Sequence, residues 1–120
     1  MAEHNELGKR GEKIAESFLL QKGYQLLAKN YRFKHLELDL IFQDDDTLIV
    51  VEVKTRASDF MAGPEITVSK KKQKDIVKVA NEFIIDRDLD LETRFDIVSI
   101  ILNEREQIID HIEDAFYPSM

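Results

Sequence analysis

The sequence predicts a single α/β domain, a mixed β-sheet flanked by helices, with elements in the order α-β-β-β-α-β-β. Three observations carry that prediction. Two stretches, one N-terminal and one central, place apolar residues at helical spacing. Five further stretches alternate or are dense in β-branched residues, three between the helical stretches and two after the second. With 120 residues, only 4 Gly and 2 Pro, no internal repeat and no low-complexity tract, the chain offers no linker at which to divide it.

Each element has its own signal. Over residues 5–22, Leu7, Ile14, Ala15, Phe18 and Leu19 fall on one helical face, and Gly23 marks the stop. Residues 24–27 read as a short strand. Residues 31–42 read as a longer one, in which Leu36, Leu38, Leu40 and Phe42 alternate with Glu37 and Asp39. The run 44–47, Asp-Asp-Asp-Thr, is the turn that follows. Residues 48–55 are apolar on both faces, as a covered central strand requires, yet the strand ends in Glu52 and Lys54. Residues 56–68, with Gly63 and Pro64, read as an irregular loop. From Ser69, a candidate N-cap, to about residue 86, Ile76, Val79, Ala80, Phe83 and Ile84 form the apolar stripe of a second helix. Residues 94–102 form an interior strand, and 107–112 a shorter strand paired to it.

Composition narrows the chemistry. The absence of cysteine excludes a disulfide framework and thiolate metal or nucleophile chemistry, and it suits a reducing cytoplasm. No stretch reaches the roughly 18 apolar residues that cross a bilayer, and the first residues are charged, so no membrane or secretion role is expected. The formal net charge of -7 argues against nucleic acid at first sight, but the charge is segregated. Residues 54–78 carry seven bases (Lys54, Arg56, Lys70, Lys71, Lys72, Lys74 and Lys78) against three acids, whereas residues 79–120 carry three bases against eleven acids. A local positive surface is compatible with that distribution.

The Asp-rich turn makes a geometric prediction. Centring the hairpin between Asp45 and Asp46 sets Asp39 opposite Glu52 and Glu37 opposite Lys54, with all four side chains on one face. Two carboxylates about 5 Å apart at Cβ, beside a strand of Leu, Ile and Val, repel and are costly to desolvate unless a proton or a cation lies between them. Mg²⁺ prefers oxygen ligands and commonly takes one or two carboxylates, with waters and phosphate completing its shell, so Asp39 and Glu52 meet its needs. Lys54 is then placed to hold a water or to offset charge developing on phosphorus, the parts of metal-assisted phosphodiester hydrolysis. The competing reading is an ion pair between Lys54 and Glu37, with Asp39 and Glu52 on a solvated strand edge.

The ordered set Glu-Leu-Gly-Lys-Arg-Gly-Glu (6–12), Glu-Leu-Asp-Leu-Ile (37–41), Val-Glu-Val-Lys-Thr-Arg (51–56) and Arg-Phe-Asp (94–96) resembles the YraN family over almost the whole chain. The ending His-Ile-Glu-Asp-Ala-Phe (111–116) resembles that family's usual ending. The resemblance implies a restriction-endonuclease-like PD-(D/E)XK fold, near archaeal Holliday-junction resolvases, and DNA cleavage dependent on Mg²⁺ or Mn²⁺. Under it, Asp39 and Glu52 are metal ligands, Lys54 is the catalytic lysine, and Glu12 is the additional acid that resolvase-like members supply from their first helix. Lys72 and Gln73 match a Lys-Gln pair recurrent in the family and, with Arg56, are the expected nucleic-acid contacts. One departure stands out: His35 and Leu36 precede Glu37 where the family usually has Gly, which narrows phosphate access.

By spacing alone Glu12 sits at the edge of its helix's apolar stripe, facing either the metal or the nearby Lys9 and Lys13. Arg94 and Asp96 form either a structural ion pair or a substrate contact, and His35 is expected to be an exposed strand residue. The leading functional expectation is a metal-dependent DNA endonuclease acting on branched or nicked structures, as a symmetric dimer by analogy with the resolvases. The alternatives are a non-catalytic nucleic-acid-binding module of the same fold, and a protein-interaction scaffold built on the acidic C-terminal third.

Overall fold

Two helices and five strands follow one another as expected in a computed structural model that describes residues 2–58 and 68–117. Helix α1 (Ala2–Gln21) ends where Gly23 adopts a left-handed φ of 96°, which returns the Gly23 and Tyr24 N–H groups to the Leu20 and Leu19 carbonyls. Helix α2 (Lys70–Arg87) begins at Ser69, whose hydroxyl accepts a hydrogen bond from the Lys72 N–H at 3.1 Å, and ends at Asp88 with φ 53°. Within the loop expected over 56–68, residues 59–67, including Gly63 and Pro64, lie outside the described residues. No helix among the described residues is long and apolar enough to cross a membrane.

The strands β1 (Gln25–Phe33), β2 (Leu36–Asp44), β3 (Thr47–Arg56), β4 (Glu92–Leu102) and β5 (Gln107–Phe116) lie side by side in chain order. Only β3 and β4 are parallel, because α2 carries the chain back between them; the other neighbours are antiparallel. The expected mixed sheet is therefore present. Strand β3 shows why its sequence is apolar throughout. Leu48 and Val50 pack with Ile76, Val79, Ala80 and Phe83 of α2, while Ile49 and Val51 pack with Ala15 and Leu19 of α1. The helices thus cover opposite faces of the sheet, and each face has its own core.

Strands β1, β2 and β5 differ from the sequence reading. The stretch 31–42 is two strands, because Phe33 pairs with Leu36 across a two-residue turn of Lys34 and His35. Lys34 takes φ 60° there, and no Gly, Asn or Pro announces the turn; the alternation runs through it unbroken. The expected short strand over 24–27 is the start of β1, which continues to Phe33 after a register shift between Leu26 and Ala28. His35 is consequently an exposed turn residue instead of a strand residue. Strand β5 runs four residues beyond the expected end at 112; its polar Glu113-Asp114 step is held by the Asp114 N–H, which donates to Asp96 Oδ1 at 2.9 Å.

Candidate functional site

The Asp45–Asp46 turn sets the register that the sequence implied. Asp44 pairs with Thr47, Phe42 with Ile49 and Leu40 with Val51, and Asp45 takes the left-handed φ of 56° that closes the hairpin. The ladder stops there. One residue further, Asp39 does not continue as a backbone pair of Glu52; its Oδ2 accepts the Val53 N–H at 2.8 Å, so a carboxylate replaces a carbonyl as the strands part. Glu37 then lies beyond the ladder and binds Arg32 of β1 at 3.3 Å, not Lys54. Both the predicted Glu37–Lys54 opposition and the competing ion pair between them are therefore absent.

Asp39 and Glu52 do come together. Glu52 is only 8% exposed, and its charge bears directly on the Asp39 carboxyl. Burial, followed by the negative Glu52, pushes the Asp39 carboxyl up to about 7, against the opposing pull of the Val53 N–H and the positive Lys72. The native state therefore holds this proton more tightly than the unfolded chain does. The stability that this group contributes is complete below the ordinary carboxylate range and is lost as pH rises through about 7. Asp39→Asn keeps an acceptor for Val53, so in chelator its advantage over wild type should grow from near zero at acid pH to on the order of 2 kcal/mol at pH 8, read from urea midpoints. A difference independent of pH would contradict this account of the pair.

Around the pair stand the other expected residues. Lys54, half-buried and two residues past Glu52 on β3, makes no hydrogen bond or ion pair among the described residues. By strand alternation it projects from the Glu52 face. Lys72, in the first turn of α2, places Nζ 3.8 Å from Glu52 Oε2. Gln73 turns away: its amide donates to the Val68 carbonyl at 2.9 Å and fastens the chain entering the helix. The Nε of Arg56 is buried without a hydrogen-bond partner among the described residues. Between the start of β2 and the first turns of α2 lies a cavity of about 190 Å³ walled by His35, Leu36, Glu37, Asp39, Lys72 and Asp75 among others. Leu36 thus stands in its wall without closing it.

Glu12 approaches from the opposite helix. Its Oε1 accepts from Asn30 Nδ2 at 3.0 Å. Its carboxyl is raised first by burial and further by the charges of Asp39 and Glu37, against the pull of the Asn30 bond. It therefore lies within electrostatic reach of the pair, and binds neither Lys9 nor Lys13 among the described residues. Gly11 explains the approach, since a Cβ there would lie 1.8 Å from Thr55 Oγ1 of β3, closer than any two such atoms can stand. Asn30, which sits at φ 50°, was not singled out from the sequence; an Asn in an extended stretch is the only signal that could have marked it. No group of three or more His, Asp or Glu side chains that could hold a metal ion is gathered among the described residues.

Residues 11–100 match the uncharacterised protein family UPF0102, which spans Glu12, Asp39, Glu52, Lys54 and Lys72. This chain belongs to the UPF0102 family. It is 47% identical over 117 residues to UPF0102 proteins of Flavobacterium psychrophilum, where 98% of each chain is covered, and of Parabacteroides distasonis, where 98% of this chain and 97% of the relative are covered. It is 42% identical over 120 residues to one of Bacteroides thetaiotaomicron, covering all of this chain and 99% of the relative. The family is the YraN-like one whose motifs run through the sequence.

In this UPF0102 chain Arg94 and Asp96 form a structural knot on the α1 face of the sheet, across from the acid pair. Asp96 is fully buried and accepts from Arg94 Nε at 2.9 Å, Arg94 Nη2 at 2.8 Å, the Asp114 N–H, and His111 Nε2 at 2.8 Å. Lys22 Nζ stands 2.8 Å from His111 Nδ1. An ammonium only donates, so Nδ1 is the acceptor and the His111 proton sits on Nε2, aimed at Asp96. Burial alone would raise the Asp96 carboxyl, but the His111, Arg94 and Asp114 hydrogen bonds outweigh it and hold the group below the usual carboxylate range.

Proposed function

We propose that this UPF0102 protein is a metal-dependent endonuclease of the PD-(D/E)XK kind that hydrolyses DNA phosphodiester bonds at branched or nicked structures. One observation carries the reading: a buried glutamate and a half-buried aspartate stand within mutual electrostatic influence where β2 and β3 part, the aspartate in the wall of a cavity and Lys72 3.8 Å from the glutamate. Burial and the neighbouring Glu52 raise the Asp39 carboxyl to about 7, and a divalent cation between the two acids would relieve the same repulsion that the proton does. Mg²⁺ or Mn²⁺ fits this donor set, because all-oxygen ligation by two carboxylates leaves positions for water and phosphate.

Asp39 and Glu52 would hold the ion, with Asp39 oriented by the Val53 N–H as an outer-shell donor. Bound there, the ion would supply a more acidic water and neutralise charge on the phosphate. Lys54, free of partners among the described residues, would orient the attacking water or offset the charge gathering on phosphorus. Glu12, fixed by Asn30, adds negative potential on the far side of the pair. DNA would lie over the α2 side, where Lys72 lines the cavity, with Arg56 of β3 as a further expected contact, and a symmetric dimer would supply the second cut at a junction. A reducing, DNA-bearing compartment such as the cytoplasm suits a cysteine-free enzyme.

The test is direct. Purified protein incubated with supercoiled plasmid and with a four-way junction should nick both in Mg²⁺ or Mn²⁺ and neither in chelator. Salt-sensitive DNA binding without cleavage under any divalent ion would reject the enzyme reading and leave a binding module of the same fold.

A further inference from the structure

Lys72 is the cation nearest the acid pair, and its position is fixed by more than chance contact. Its backbone N–H is bonded to the Ser69 cap, and the neighbouring Gln73 side chain ties down the Val68 carbonyl, so the first turn of α2 is pinned against the site. From there the side chain spans a region that is buried at one end and wet at the other: the side chain of Glu52 is 9% exposed and that of Lys72 45%. The same ammonium lines the cavity together with Asp39. Lys71, also in the first turn, is engaged with Asp75 at 3.5 Å.

We propose that Lys72 is the resident counter-ion of Asp39 and Glu52, displaced when a divalent cation enters and thereby released to a phosphate oxygen of the nucleic acid in the adjoining cavity. This rests on the metal-site reading above and adds to it an order of events. An ammonium 3.8 Å from a carboxylate oxygen and a divalent ion bound to that oxygen oppose each other electrostatically, so metal entry must weaken the Lys72–Glu52 pair. The flexible, half-exposed lysine stem can move without disturbing the helix. The freed charge stays on the cavity wall, where it favours an anion. Metal binding and phosphate binding are then coupled through one side chain.

The experiment uses the full chain without DNA, titrated with Mn²⁺ by calorimetry, and then a short DNA duplex followed by fluorescence anisotropy. Lys72→Ala should bind Mn²⁺ about fivefold more tightly than wild type, the scale of a half-exposed ion pair removed as competitor, whereas Lys72→Arg should stay close to wild type. The same Lys72→Ala change should weaken duplex binding about fivefold in Ca²⁺ and leave it unchanged in chelator, where Lys72 is held by Glu52. Unchanged or weaker Mn²⁺ binding by Lys72→Ala, with wild type binding Mn²⁺ normally, overturns the counter-ion role and leaves the metal site standing. Absence of saturable Mn²⁺ binding in wild type and both variants overturns the metal site, and the counter-ion role with it.

Discussion

Replacing Asp96 with alanine is expected to cost about 3–5 kcal/mol of folding stability, the range seen when one partner of a buried ion pair is deleted. The carboxylate receives four hydrogen bonds inside the protein, two of them from the fork of Arg94. Without it, Arg94 keeps only the Tyr24 hydroxyl at 3.0 Å and Glu113 at 3.5 Å, and the His111 Nε2 and Asp114 N–H lose an acceptor that is itself fully buried. The damage is structural, so Mn²⁺ affinity of the surviving folded fraction should not change. Urea denaturation measures the loss; a cost below about 1 kcal/mol would mean that the knot is no stronger than a surface pair.

Glu52→Gln should remove metal-dependent nicking, by about a thousandfold or more, while the protein stays folded. The substitution keeps the shape of the side chain but withdraws one of the two carboxylates proposed to hold the ion. It also relieves the repulsion at Asp39, so thermal unfolding in chelator should occur at the same temperature or higher. Loss of both the fold and the activity would not distinguish a ligand from a core residue, and for that reason the denaturation curve is part of the measurement. Nicking undiminished by Glu52→Gln would place the chemistry elsewhere.

The hairpin that builds the site was legible because its information is local. A turn of Asp45 and Asp46 fixes the register of every pair from Asp44–Thr47 to Leu40–Val51, and a period of two then decides which side chains share a face. What lay one residue beyond the ladder was not legible. Counting pairs places Glu37 across from Lys54, but once Asp39 takes the Val53 N–H the strands separate and Glu37 finds Arg32 on its own hairpin. The Lys34–His35 turn was hidden for a related reason, since a two-residue turn preserves the alternation on both sides of it. Lys72 on Glu52 and Asn30 on Glu12 are contacts between elements distant in the chain, and periodicity carries no information about them. Likewise the knot at Asp96 depends on β5 reaching Asp114, a segment whose acids read as solvent-facing.

The one parallel junction in the sheet has a consequence for how the molecule assembles. Strands β1, β2 and β3 are joined by two-residue reversals, so a nascent meander can close with little loss of chain entropy. Thr47 meets Glu92 only after the whole crossover has been drawn in. Ranked by the cost of ring closure, the two acids become neighbours early and the strand that seals them from behind arrives late. During that interval their repulsion is screened by water, so the electrostatic penalty of the pair falls on the final docking step and not on nucleation.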